Sequence, residues 1–171
     1  MDRKILITYA SKYGATAEIA GKISDLLLQV GLQVDLFSVD NVRDLAPYHA
    51  DILGSGVYIG QWNKKAAVFL QNNEEALTER QVWLFSSGPT GVGDPVELLN
   101  GWRLPAALQP AVSRIQPCGT VVFHGFINPN RLNFIQKWVI KNIVKKPFGD
   151  YRDWDAIEAW TGTVAQSLCV N

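Results

Sequence analysis

Ile5-Leu6-Ile7-Thr8-Tyr9-Ala10-Ser11-Lys12-Tyr13-Gly14-Ala15-Thr16 begins as a short apolar run and breaks into small and polar residues. Directly after it, Ile19, Ile23, Leu26, Leu27 and Val30 recur at helical spacing, so the passage predicts a strand, a tight loop and a helix over residues 17–30. The loop of such a unit directs successive backbone N–H groups and a helix N-terminus at one point, which suits an anion. Ser11 and Thr16 add hydroxyl donors, and Gly14 permits close approach or a positive φ. The alternative is that Ser11 or Thr16 merely caps the helix and Gly14 merely turns the chain.

Outward from this unit the alternation repeats. Gly31 stops the first helix, and Gln33 to Phe37 alternates in polarity as an outer strand does. Asp51 to Val57 predicts a third strand, Lys64 to Ala76 a helix, Gln81 to Phe85 a fourth strand and Thr120 to Phe123 a fifth. Trp154 to Leu168 predicts a closing helix with Ile157, Trp160, Val164 and Leu168 on its apolar positions. Strands alternating with helices imply a parallel sheet covered on both faces. Ligands of such sheets lie beyond the carboxyl ends of the strands where strand order reverses, between strands one and three for the order 2-1-3-4-5. Small polar residues and glycines follow strands one, three and four, so three loops are expected to converge there.

The bulk numbers agree with one soluble domain spanning 1–171. The chain has 171 residues, 47% of them hydrophobic and 19% charged, and a formal net charge of zero. No overall field favours nucleic acid, and none is expected as a partner. Cys118 and Cys169 form no C-x-x-C and have no cluster of histidines, so no metal site is expected. After Met1-Asp2-Arg3-Lys4 the apolar stretch is too short for a secretory leader, and no window approaches the roughly 20 apolar residues of a membrane-spanning helix. A cytoplasmic protein is expected, with peripheral contact at the inner face of the membrane as an extension.

Taken as a pattern, Ile7, Tyr9, Ser11, Gly14, Thr16, Ala20 and Ile23 resemble the flavodoxin signature, with Thr8 departing from the aliphatic or aromatic residue usual there. The resemblance implies a flavodoxin-like α/β fold, a doubly wound five-stranded parallel sheet of order 2-1-3-4-5, and flavin mononucleotide (FMN) as cofactor. It places the phosphate on Ser11, Lys12, Tyr13, Gly14, Ala15 and Thr16, without a required metal or arginine. Ser55-Gly56-Val57-Tyr58-Ile59-Gly60 and Trp62 look like the loop covering one face of the flavin ring, with Tyr58 and Trp62 as stacking candidates. Packing of Trp62 against the following helix is the equal alternative. Ser86, Ser87, Gly88, Pro89, Thr90, Gly91, Gly93 and Asp94 occupy the third flavin loop, unless this stretch is simply a mobile surface loop.

The resemblance also marks an addition. Between the fifth strand and the last helix, residues 129–149 insert a segment with a helix-like run from Arg131 to Lys145. Leu132, Ile135, Val139, Ile140 and Ile143 share one face of a 3.6-residue wheel, while Lys137, Lys141 and Lys145 form a row opposite with Phe134 and Trp138 beside them. Arg131 to Lys146 carries five basic residues and no acidic one, a composition suited to a membrane interface, a docking surface or a plain amphipathic helix.

This insertion and the whole-chain layout resemble the menaquinone-dependent protoporphyrinogen dehydrogenase branch. That resemblance implies an FMN-dependent oxidoreductase acting on a porphyrinogen or another hydrophobic substrate and passing electrons to a quinone. The alternative is a flavodoxin-type electron carrier serving a redox partner protein. His49 and His124 are the only histidines, and neither is assigned a catalytic role.

Overall fold

The computed structural model describes residues 4–170. Met1 to Arg3 of the basic N-terminal stretch lie outside the described residues. Five strands, β1 (Lys4–Ala10), β2 (Gln33–Ser38), β3 (Tyr48–Tyr58), β5 (Gln81–Ser87) and β6 (Gly119–Phe123), pair in parallel in the spatial order β2-β1-β3-β5-β6. This is the expected 2-1-3-4-5 order. A two-residue strand, β4 (Gln61–Trp62), folds back antiparallel on the end of β3. The turn between them, Ile59-Gly60, has positive φ at both residues, the backbone a two-residue hairpin demands.

Alternation decides which face each strand residue serves. Ile5, Ile7, Ala50, Ile52, Trp83 and Phe85 pack beneath α1 (Ala15–Gln29) and α7 (Trp154–Val170). Leu6, Leu53, Val82 and Leu84 point the other way, toward α2 (Lys64–Asn72), α3 (Glu74–Thr78) and α5 (Gln109–Ile115). Helix α1 ends in a paired cap: Leu32 N–H donates to Leu27 O and Gly31 N–H to Leu28 O, so Gly31 is the expected stop.

Three differences from the sequence expectation have simple causes. The helix expected over 64–76 is two helices, because Asn73 takes a non-helical conformation and caps the first with its own N–H on Phe69 O. Between β5 and β6 lie a four-residue α4 (Pro95–Leu98) and α5, too short to show a period. The insertion begins with β7 (Phe126–Ile127), which pairs with β8 (Gly149–Asp150) to close its base. Its helix is also not continuous: α6 (Phe134–Val139), capped reciprocally by Asn133 and Gln136, passes into a π-helical turn over Ile140–Val144. Lys145 N–H accordingly donates five residues back, to Ile140 O.

Candidate functional site

The carboxyl ends of β1, β3 and β5 open on a cavity of about 360 Å³, within the range usual for small-molecule sites. Its walls carry the residues of all three expected loops: Ser11, Lys12, Tyr13, Ala15 and Thr16; Gly56 to Gly60; and Ser87, Gly88 and Pro89. The loops are packed too closely for side chains at their junction. A Cβ on Gly125 would fall 2.8 Å from the Gly88 carbonyl oxygen, and Gly125 N–H donates to Pro89 O.

The first loop leaves the N-terminus of α1 without a side-chain cap. Gly14 precedes α1 with φ near 95°, a left-handed conformation that costs a side chain strain, and no side chain caps the helix. Ser11 Oγ instead accepts the Gly14 N–H at 3.0 Å, inside the loop. Simple capping by Ser11 or Thr16 is therefore not what these residues do. Thr16 is buried and lines the cavity. Lys12 N–H donates to the Tyr58 hydroxyl at 3.0 Å, and the Lys12 ammonium lies 5.2 Å and 5.9 Å from the ring centres of Tyr13 and Tyr58. The two tyrosine rings meet edge to face. Burial raises the Tyr58 phenol above its ordinary value, which keeps the hydroxyl neutral.

Of the two aromatic candidates, only Tyr58 reaches the cavity. Trp62 is buried in the core with Leu104, Leu108 and Ala66, and its indole N–H donates to Ser86 Oγ at 2.8 Å. The stacking candidacy of Trp62 is thus corrected: β4 turns its side chain inward, and it packs beneath the site. Ser55 is also interior, its hydroxyl accepting Asn63 N–H and donating to Gly56 O. Ser86 lies below the cavity floor. In the third loop, Thr90, Gly91, Gly93 and Asp94 fall outside the lining, and Asp94 caps α4 through Val96 N–H and Glu97 N–H. The buried Thr90 hydroxyl and His124 Nε2 lack hydrogen-bond partners, and His49 is at the opposite end of the sheet on Lys4 O.

The sequence did not announce how much of this cavity the insertion supplies. Leu132, Ile135, Val139, Ile140 and Val144 line it, joined by Phe126, Ile127 and Lys146. The expected face is right through Ile140. Then the π-helical turn admits an extra residue, so Val144 lines the wall and Ile143 does not. Phe134 and Trp138 point outward at 83% and 54% exposure, among Lys137, Lys141 and Lys145.

Two guanidinium groups hold the insertion to the domain. Arg152 stacks between Phe126 and Trp154 and pairs with Asp150 and Glu18, holding the Asp150 carboxyl below the usual range. Arg131 Nη1 donates to Tyr13 O at 2.6 Å, and its Nη2 lies 3.6 Å from Glu18. Among the described residues no group of His, Cys, Asp and Glu is placed to hold a metal ion, and no helix is long and apolar enough to cross a membrane.

A family model described as a flavodoxin domain matches residues 6–153. No curated protein matches the chain in sequence. Among solved structures it is similar to the rubredoxin oxygen:oxidoreductase of Desulfovibrio gigas, with a TM-score of 0.63 and 15% identity over 98% of this chain. The chain spans only 36% of that protein's length. A Streptococcus pneumoniae flavodoxin gives a TM-score of 0.58 and 16% identity over 96% of this chain and 99% of its own. A flavodoxin from the domain Archaea gives 0.58 and 14%, covering 83% and 97%.

Proposed function

The chain belongs to the flavodoxin family, whose cofactor is FMN, and from that premise we propose that it is an FMN-dependent oxidoreductase for a hydrophobic substrate, a porphyrinogen being the candidate, with a quinone as electron acceptor. The single observation that carries this beyond electron carriage is the insertion. It lays Leu132, Val139, Ile140 and Val144 along the same cavity that the phosphate loop enters. A carrier needs only to bring its cofactor within reach of a partner. An apolar wall next to the cofactor suits burial of an apolar molecule.

The residues present fit the cofactor. Ser11 to Thr16 would hold the phosphate through backbone N–H groups and the two hydroxyls. Gly56 to Gly60, with Tyr58, and Ser87 to Pro89 would border the ring. When bound, FMN supplies the electron-transfer chemistry. The protein's own contributions are to orient, to exclude water and to leave the apolar wall free for the second molecule. Lys146 places a positive charge in that wall.

The outer face of the insertion supports peripheral contact with a membrane, where a quinone would be met. Phe134, Trp138 and Ile143 are exposed among the lysines, an arrangement suited to an interface of headgroups and acyl chains. Anaerobic oxidation of protoporphyrinogen with a soluble quinone by the FMN-loaded protein tests the enzyme reading. Turnover that collapses when Val139 and Ile140 are changed to polar residues supports it. No turnover, together with rapid exchange of electrons with a redox protein, returns the chain to the carriers.

A further inference from the structure

Arg131 closes the turn that opens the insertion, and it reaches 118 residues back along the chain to the phosphate loop. Its Nη1 stands 2.6 Å from where a Cβ on Gly14 would be, and donates to Tyr13 O. That carbonyl and the Gly14 N–H belong to one peptide unit, and in a trans peptide the two point in opposite directions. Holding the carbonyl outward therefore holds the N–H inward, where Ser11 Oγ accepts it. A cation on the carbonyl also polarises the unit and makes its N–H a stronger donor.

The charges around the loop leave the Nη1 of Arg131 to the Tyr13 carbonyl. Glu18, in the first turn of α1, is the carboxylate that would compete for it, and Glu18 is already paired with Arg152. Arg131 meets Glu18 only at the longer distance and through its other nitrogen.

We propose that Arg131 is a positioning residue for a phosphomonoester on the loop Ser11 to Thr16. It fixes the Tyr13–Gly14 peptide with its N–H inward and adds positive charge at the rim. The insertion thereby takes part in telling a phosphorylated flavin from an unphosphorylated one. This rests on the reading of the loop as the phosphate site, and it departs from the arginine-free grip that the family resemblance implies.

The test compares FMN with riboflavin, titrated by fluorescence quenching into the full chain carrying Arg131→Gln or Arg131→Lys, with far-UV circular dichroism confirming the fold. Arg131→Gln is expected to weaken FMN about tenfold and leave riboflavin within about twofold, and Arg131→Lys to recover part of the loss. Added salt should narrow the preference for FMN in the wild type and do so less in Arg131→Gln. Equal losses for both flavins, or no loss for either, overturn the proposal while leaving the phosphate site in place. A wild type that binds riboflavin as tightly as FMN overturns the phosphate site itself.

Discussion

The indole N–H of Trp62 donates to the hydroxyl of Ser86 across 2.8 Å, joining the hairpin strand β4 to β5 beneath the cavity floor. Both residues are buried, so replacing Trp62 by Phe leaves the Ser86 oxygen without this donor. The expected cost is about 1–3 kcal/mol of stability, read from chemical denaturation. FMN affinity should hardly change, because the indole supports the loop from below. A large loss of affinity at unchanged stability would show that Trp62 touches the flavin after all.

Thr16→Ala removes a hydroxyl from the loop proposed to hold the phosphate and is expected to weaken FMN binding about tenfold to a hundredfold, the worth of a hydrogen bond to a charged group. Gly14→Val acts on the backbone: it forces a branched side chain into a left-handed conformation and toward Arg131. Its affinity should fall at least as far. Fluorescence titration reads both, and unchanged affinity in both variants would mean that the phosphate lies elsewhere.

That the loop Ser11 to Thr16 enters the cavity was legible in the sequence because everything that places it is local. Ser11, Gly14 and Thr16 sit within six residues of one another, between a strand and a helix whose periods are plain. Trp62 was not legible, since its neighbours could not say which way β4 would turn it. The cavity wall was half legible. Helical spacing picked Leu132, Ile135, Val139 and Ile140, and failed at Ile143 because no local signal marked the π-helical turn. Arg131 escaped notice as anything but positive charge, because its partner is distant in sequence.

Changing Lys137, Lys141 and Lys145 to Gln is expected to reduce sedimentation with anionic vesicles at low salt, at about 1 kcal/mol for each charge removed near the surface. All three are exposed on the outer face of the insertion, so the flavin spectrum should stay as it is. Wild-type protein that ignores anionic vesicles at low ionic strength would turn this face into a docking surface for protein.

Asp51 is 2% exposed, with Arg80 Nη1 3.7 Å away, and burial pushes its carboxyl up to about 7 against the pull of Arg80. Because the folded value is raised, the stabilisation belongs to the neutral acid. It is fully present below the ordinary value of 3.8 and is lost as pH rises from there through about 7. Asp51→Asn keeps the neutral shape at every pH. Its melting temperature should match the wild type near pH 4 and exceed it by about 5 °C at pH 8. Parallel melting curves across that range would show that Arg80 keeps the carboxylate ionised.

A helix that widens for one turn carries one residue more than its neighbours need. Each residue of an α-helix advances about 100° around the axis, and the wide turn takes up that angle, so deleting Lys141 or Asn142 would let the turn close to an ordinary α-helix with Val144 still on the wall and Ile143 still outside. Closing the turn with no residue removed would instead bring Ile143 to the cavity and carry Val144 off it. The boundary between the wall that meets a small molecule and the face that meets the surroundings is therefore kept in register by the width of one turn, which stores a surplus residue without passing its rotation on.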